Sequence, residues 1–246
     1  MEARMTTTAT GSAATASRQA VAEGVDELLL VPPVDGSPLA LSTLRFDAGA
    51  TYAFSSGDAD GFLFVVEGAG RADDDDSGSR EVKAGTSLRV SAGTTLALTA
   101  DVSDLVIVWA QAGPQCDRHA PLGDDARTTE VDQSAGAAAT GKRSFQVLFD
   151  AGNGSTRATL FVGYVPPGRA PWHFHQYDEI VFICRGTGRL LLTGQEAEVG
   201  DGSAFRLRPR EVHILENLGD DDLILLGLFT PAGSPAAAYL AESPEA

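Results

Sequence analysis

The sequence predicts an all-β chain built as two tandem barrels. Three observations predict it. Short apolar runs follow one another over residues 28–110 and again over residues 145–229, each closed off by Gly, Pro, Asp or Ser, the pattern of a sandwich or barrel. The runs repeat: FLFVVEGAGRA in the first block resembles IVFICRGTGRL in the second, with Gly68 and Gly186 118 residues apart and, at the same offset, Gly70 on Gly188 and Arg71 on Arg189. The copies are chemically unequal, because three of the chain's four histidines lie in the second, within residues 168–217.

Taken in order, residues 1–25 are rich in Thr, Ala and Ser and read as a disordered tail, with room for a short helix at residues 17–23. They lack the basic-then-apolar order of a secretory signal, and no run approaches the length of a membrane span, so the expected compartment is the cytoplasm. Residues 26–110 form the first barrel. Its acidic stretch at residues 72–78 reads as a solvated hairpin tip, since the ligand spacing and distal Glu of a calcium loop are missing. Residues 111–142 hold few large apolar side chains and read as a linker that packs along the surface. Residues 143–232 form the second barrel, and residues 233–246 a tail in which PAAAYLAES suits a short helix. A chain of 246 residues is long enough for two small cores.

The formal net charge of −16 argues against nucleic acid and anionic membranes as partners, because no Lys/Arg cluster is present to overcome repulsion from phosphate. Two cysteines, Cys116 and Cys184, make no disulfide framework. Cys184 reads as a buried small hydrophobe. Cys116 and His119 have ligand-like spacing, yet a structural zinc site needs four ligands and no second pair accompanies them.

The chemistry concentrates in GRAPWHFHQYDEIVFICRG and GDGSAFRLRPREVHILEN. On a strand alternate side chains share a face, so His173 and His175 project together, and Glu179 has the same parity. A second strand after Pro209 brings His213 across from them. Three imidazoles and one carboxylate converging in a small barrel suit a divalent transition metal.

These residues carry a resemblance to the cupin superfamily. Gly168, His173, His175, Glu179 and Gly186 match its first motif; Gly202, Pro209, His213 and Asn217 match its second, with Glu211 near a customary glycine and one residue fewer between proline and histidine. The resemblance implies a bicupin of two double-stranded β-helix (jelly-roll) barrels with His173, His175, Glu179 and His213 as metal ligands. Fe, Mn, Ni, Co and Zn all suit that donor set. In the first copy Ser55, Gly57 and Gly61 stand where His173, His175 and Glu179 stand in the second, so that barrel is expected to hold no metal. By analogy with the same family, a homodimer is expected.

Other residues are candidates for the pocket. Trp172 and Phe174 have the opposite parity to the ligands and read as core packing. Tyr177 offers a phenol for proton donation, or lies exposed. Arg206, Arg208 and Arg210 alternate towards His213: inward they pair with a substrate carboxylate, outward they form a solvated edge. Arg169 can reach the barrel mouth, and Glu211 is a candidate acid or base beside His213. Three functions fit. One is a metal-dependent enzyme on a small oxygen-rich substrate, of the dioxygenase type. The second is an isomerase or epimerase of a keto-sugar or related acid, with Glu211 or Tyr177 moving the proton. The third is a non-catalytic small-molecule binding protein. Fold alone does not choose among them.

Overall fold

A computed structural model describes residues 18–74, 78–120, 122–132, 134, 136–139 and 142–243. The first barrel contains β1 (Gln19–Ala22), β2 (Val25–Val31), β3 (Leu39–Phe46), β4 (Thr51–Ser55), β5 (Asp60–Glu67), β6 (Ala69–Asp74), β7 (Gly78–Lys83), β8 (Thr86–Val90), β9 (Thr95–Ala100), β10 (Leu105–Ala112) and β11 (Thr128–Glu130). The second contains β12 (Ala137–Ala138), β13 (Ser144–Phe149), β14 (Thr159–Val165), β15 (His173–His175), β16 (Asp178–Arg185), β17 (Gly188–Leu192), β18 (Gln195–Val199), β19 (Ala204–Leu207), β20 (His213–Asn217), β21 (Leu223–Thr230) and β22 (Ala238–Leu240).

Each barrel is a pair of antiparallel sheets. In the first, β1-β2-β3-β10-β5-β8-β11 faces β4-β9-β6-β7; in the second, β12-β13-β14-β21-β16-β19 faces β18-β17-β20-β15-β22. The repeat seen in the sequence is a repeat of pairing. Leu63 lies opposite Trp109, and 118 residues on Val181 lies opposite Gly227. The fold is therefore all-β, two tandem jelly-roll barrels.

The central runs FLFVV and IVFIC are unbroken apolar stretches because both of their faces are covered. Leu63 and Val65 fill the first barrel, and Val181 and Ile183 the second. Phe62 and Phe64, and Ile180 and Phe182, point the other way and meet in one core between the two large sheets. The first barrel thus packs on the second through buried aromatic and aliphatic surface.

The linker adds an edge strand to each large sheet, β11 on β8 and β12 on β13. The described part of the acidic tip ends in the β6–β7 hairpin; residues 75–77 lie outside the described residues. Both terminal segments correct the sequence reading. Where residues 17–23 suggested a short helix, β1 pairs with β2, with Gln19 opposite Glu27. Where PAAAYLAES suggested a helix, β22 pairs with β15. A helix of nine residues is marginal in water, whereas an open strand edge leaves backbone N–H and C=O groups unpaired. Residues 1–17 and 244–246 lie outside the described residues. Among the described residues, no helix is long and apolar enough to cross a membrane.

Candidate metal centre

Strand geometry brings the three histidines together. β15 carries His173 and His175 on its inner face, and register sets His173 opposite His213 of β20. The inner nitrogens of the three rings lie within 4.8 Å of one another, and all three side chains are buried. Among the described residues this is the one cluster of potential metal ligands; Cys116 is buried and His119 exposed, with no such grouping.

Each outer contact orients a ring. His173 Nδ1 lies 3.0 Å from the Pro171 carbonyl, and His213 Nδ1 lies 2.8 Å from the Glu211 carbonyl. A carbonyl only accepts, so Nδ1 carries the proton and the Nε2 lone pair faces inward, the tautomer a metal needs. Burial lowers the His173 pKa to about 4, with Arg143 adding to it, and lowers that of His175 to about 3, with His173 adding to it. Burial and the other two rings hold His213 well below its ordinary value. All three are neutral near pH 7, as ligands must be.

Glu179 stands beside this cluster, with Oε2 3.7 Å from His175 Nε2. Burial raises its pKa to about 8; Arg143 opposes the shift and Asp178 adds to it. Arg143 only partly offsets the cost of burying this carboxyl among neutral imidazoles, and a divalent cation would supply the further positive charge that keeps it ionised. The three donors, all within 4.8 Å of one another, would be near enough to share one ion. The donor set therefore fits a divalent transition metal: His173, His175 and His213 are placed to hold it, with Glu179 next to them.

The turn before His213 contains a backbone feature the sequence did not reveal. Arg210, next to Glu211, adopts the left-handed conformation, with φ 66°. A non-glycine residue there costs roughly 1–2 kcal/mol. The Arg210 N–H donates to the His175 carbonyl at 2.6 Å, tying this turn to the ligand strand.

The cavity around the histidines measures about 80 Å³. Its wall is mostly apolar, with Phe145, Phe161, Val181, Leu190, Phe205 and Leu225 among the lining residues. The C-terminal strap closes one side through Pro235 and Ala238. Its β22 lies against the ligand strand, with Leu240 opposite His173 and Ala238 opposite His175.

The remaining candidates are distributed as follows. Tyr177 lines the cavity, stacked on His175 at 4.6 Å between ring centres and on Phe229 at 3.9 Å. Burial pushes its phenol above the ordinary tyrosine range, with Glu179 adding to it. Glu211 is not in the cavity. Its carboxylate accepts from the Arg208 N–H at 2.9 Å, and only its carbonyl reaches the site, through His213. Arg169 and Arg208 are exposed; the Arg169 guanidinium sits 5.5 Å from the centre of the Trp172 ring. Trp172 packs with Leu191 and Ile214, and Phe174 stacks on Tyr239.

Arg206 corrects both readings of its direction. It points out of the barrel but is buried, because the other barrel covers that face. It donates to Asp178 Oδ2 at 3.3 Å and, across the interface, to the carbonyls of Pro32 at 2.8 Å and Leu39 at 3.0 Å. No substrate carboxylate in the cavity can reach it. Among the residues lining the cavity, the cation is Arg143, whose Nη1 lies 3.1 Å from His173 Nε2. Sequence reasoning left it at the linker boundary. Its parity with Phe145, which faces the barrel interior, was the available signal.

At the position of the acid, the first barrel is filled by a side chain. Gly61 replaces the carboxylate, and a Cβ there would lie 1.9 Å from Trp109 Cη2, so the indole fills the space. Gly227 occupies the matching place in the second barrel, where a Cβ would lie 2.3 Å from Phe161 Cε1 and 3.1 Å from Glu179 Oε1. One copy has a tryptophan facing a glycine; the other has a glycine beside the acid. Gly227→Ala is expected to displace Phe161 and Glu179, costing about 1–3 kcal/mol of stability. It should also weaken metal binding by about 10-fold or more, as measured by competition with a chromogenic chelator; unchanged affinity would refute this role for Gly227.

Residues 160–229 match the family described as Cupin domain. The second barrel is a cupin domain. Solved structures superpose on most of the chain, across both barrels. AerE from Microcystis aeruginosa superposes with a TM-score of 0.71 at 11% identity, covering 88% of this chain and 97% of that one. Oxalate decarboxylase from Lactobacillus farciminis, solved as a formate complex, gives a TM-score of 0.69 at 13% identity over 92% and 86%. Vicilin from Corylus avellana gives 0.67 at 12% over 87% and 83%. At such identities the likeness is one of fold: the chain is a bicupin in architecture. No curated protein matches it by sequence.

Proposed function

We propose that the second barrel binds one divalent transition metal through His173, His175, His213 and Glu179. We further propose that the chain is a metal-dependent oxidoreductase of the dioxygenase type, acting on a small oxygen-rich molecule. When bound, the metal would supply Lewis acidity and redox chemistry at open coordination positions. The chain supplies the rest. β15 and β20 hold the imidazoles on rigid strands, and the apolar wall keeps bulk water from the reacting atoms.

One observation carries the choice of reaction: among the described residues lining the cavity, no carboxylate or imidazole stands outside the proposed ligands. Glu211 is turned towards the Arg208 N–H, and the Tyr177 phenol, raised by burial, is a poor proton shuttle near neutral pH. An isomerase or epimerase needs such a group; metal-centred oxidation does not. The fold likeness to an oxalate decarboxylase is compatible with a small acid as substrate.

The test is oxygen uptake. Protein loaded anaerobically with Fe(II) is mixed with small hydroxy acids, diketones and phenols in air-saturated buffer. Stoichiometric oxygen consumption with at least one of them is expected. Deuterium wash-in from solvent without oxygen consumption would instead establish the isomerase.

A further inference from the structure

The cavity wall is held unevenly. Phe161, Val181, Leu190 and Leu225 line it from β14, β16, β17 and β21, and each of those strands is paired along both edges. Pro235 and Ala238 line it from the C-terminal strap. Among the described residues, β22 pairs with β15 only, over three residues. Within residues 231–243 Pro235 is the one buried residue, while Tyr239 and Leu240 are exposed. Pro235 therefore sits in the cavity wall as a plug on an otherwise solvent-facing segment.

The strap has a fixed end and a loose end. Thr159 Oγ1 donates to the Gly233 carbonyl and accepts from the Gly233 N–H, both at 2.9 Å, which pins Gly233 to β14. A turn follows, in which the Ala237 N–H donates to the Ser234 carbonyl at 3.0 Å. Beyond Gly233 the strap is attached to the barrel through its pairing with β15 and three further contacts. The Ala241 N–H donates to the Trp172 carbonyl at 2.9 Å, Tyr239 stacks on Phe174 at 5.3 Å, and the Tyr177 hydroxyl donates to the Pro235 carbonyl at 3.5 Å. A segment with few buried apolar contacts and exposed backbone bonds lies at the low end of local opening free energies. The doubly paired strands of the wall open only with the core they enclose. A hydrated ion or a substrate entering a space of about 80 Å³ therefore finds its least costly route where the strap lies. Opening would also loosen the ligand strand, since β15 pairs with β20 only where His173 faces His213.

We propose that residues 234–241 are a gate over the cavity, hinged at Gly233 and plugged by Pro235, through which ion and substrate enter. What passes the gate rests on the metal-dependent reading above; its motion does not.

The histidines themselves report on opening. Diethyl pyrocarbonate acylates neutral imidazole and is too large for the closed cavity. In the metal-free protein, peptide mass spectrometry should find the exposed His119 modified quickly and His173, His175 and His213 slowly. A bridge in the variant Phe174→Cys with Tyr239→Cys would staple the strap to β15. The two residues face each other in the ladder, where Cα atoms lie about 4.5–5.5 Å apart, within disulfide reach. Oxidation should slow modification of the three cavity histidines by about 10-fold or more, leave His119 unchanged, and be reversed by dithiothreitol. In the wild type, hydrogen exchange of the Ala238, Leu240 and Ala241 amides should be about 100-fold or more faster than that of the β21 amides. This second measurement decides the matter should the double variant fail to fold or to form its bridge. Strap amides as slow as those of β21 would overturn the gate. So would cavity histidines that never react, or that react within about twofold of one another's rate in the oxidised and reduced variant. Neither measurement uses a metal, so a chain that takes up no ion would bring down the functional reading and leave the gate standing.

Discussion

Replacing His213 by alanine is expected to yield a folded two-barrel protein that holds no metal. His213 is the single imidazole supplied by β20, and its ring is locked by the Glu211 carbonyl. Without it two imidazoles remain, both on β15, with Glu179 of β16 beside them. Losing a contact that merely supports a ligand typically costs 10- to 100-fold in affinity; losing the ligand itself should exceed that. Folding should survive, because His213 lies outside the apolar cluster that holds the barrel, and burial keeps its ring neutral, so alanine leaves no unpaired charge behind. Two measurements check this. Elemental analysis should find one ion per chain in the wild type and less than a tenth in the variant. Chelation should lower the melting temperature of the wild type only: a ligand present at a thousand times its dissociation constant stabilises by about 4 kcal/mol. In a chain of this size that corresponds to roughly 8–16 °C. A full equivalent of metal in the variant would place the site elsewhere. Two ions in the wild type would mean that Trp109 does not close the first barrel.

What could be read in the sequence was what depends on short-range periodicity. The spacing of His173 and His175 fixes their common face on a strand. The 118-residue repeat fixes which strands correspond, so the loss of ligands in the first copy follows from Ser55, Gly57 and Gly61 and from the absence of histidine in SAGTTLALT. What could not be read depends on distant partners. Strand alternation left Arg206 facing either inward or into solvent, and nothing local showed that the other barrel covers the outer face. The unbroken runs FLFVV and IVFIC did hint at it, since a strand with both faces apolar needs cover on both. The pairing of β22 with the ligand strand spans more than sixty residues and leaves no local trace. The exchange of Trp109 for Gly227 is visible only when the two copies are laid over one another and the residue opposite the acid position is compared.

Arg206→Met is expected to destabilise the chain by about 3–5 kcal/mol, the usual cost of breaking a buried ion pair from one side. The guanidinium joins Asp178 in its own barrel to the backbone of Pro32 and Leu39 in the other, and Ser37 hydrogen-bonds the same Asp178 oxygen. A second pair, Arg157 with Asp60 at 3.5 Å, lies on the same interface, and Asp60 is the first-copy counterpart of Asp178. Methionine leaves two carbonyls and a carboxylate facing an apolar side chain. Burial already holds Asp178 above the ordinary carboxylate range, with Ser37 and Arg206 working against that shift. Removing Arg206 therefore favours the protonated acid, and the variant's deficit should shrink as pH falls towards the unfolded carboxylate's ordinary value. The double variant Arg206→Met with Asp178→Leu removes both charges and should recover most of the loss, because replacing a buried pair by apolar groups is often close to neutral. Urea denaturation of the four proteins forms a double-mutant cycle. A coupling energy below about 0.5 kcal/mol would show that Arg206 acts through partners other than Asp178. A large coupling would establish the Asp178 pair as a polar fastener between the barrels, set one residue before the acid of the metal site.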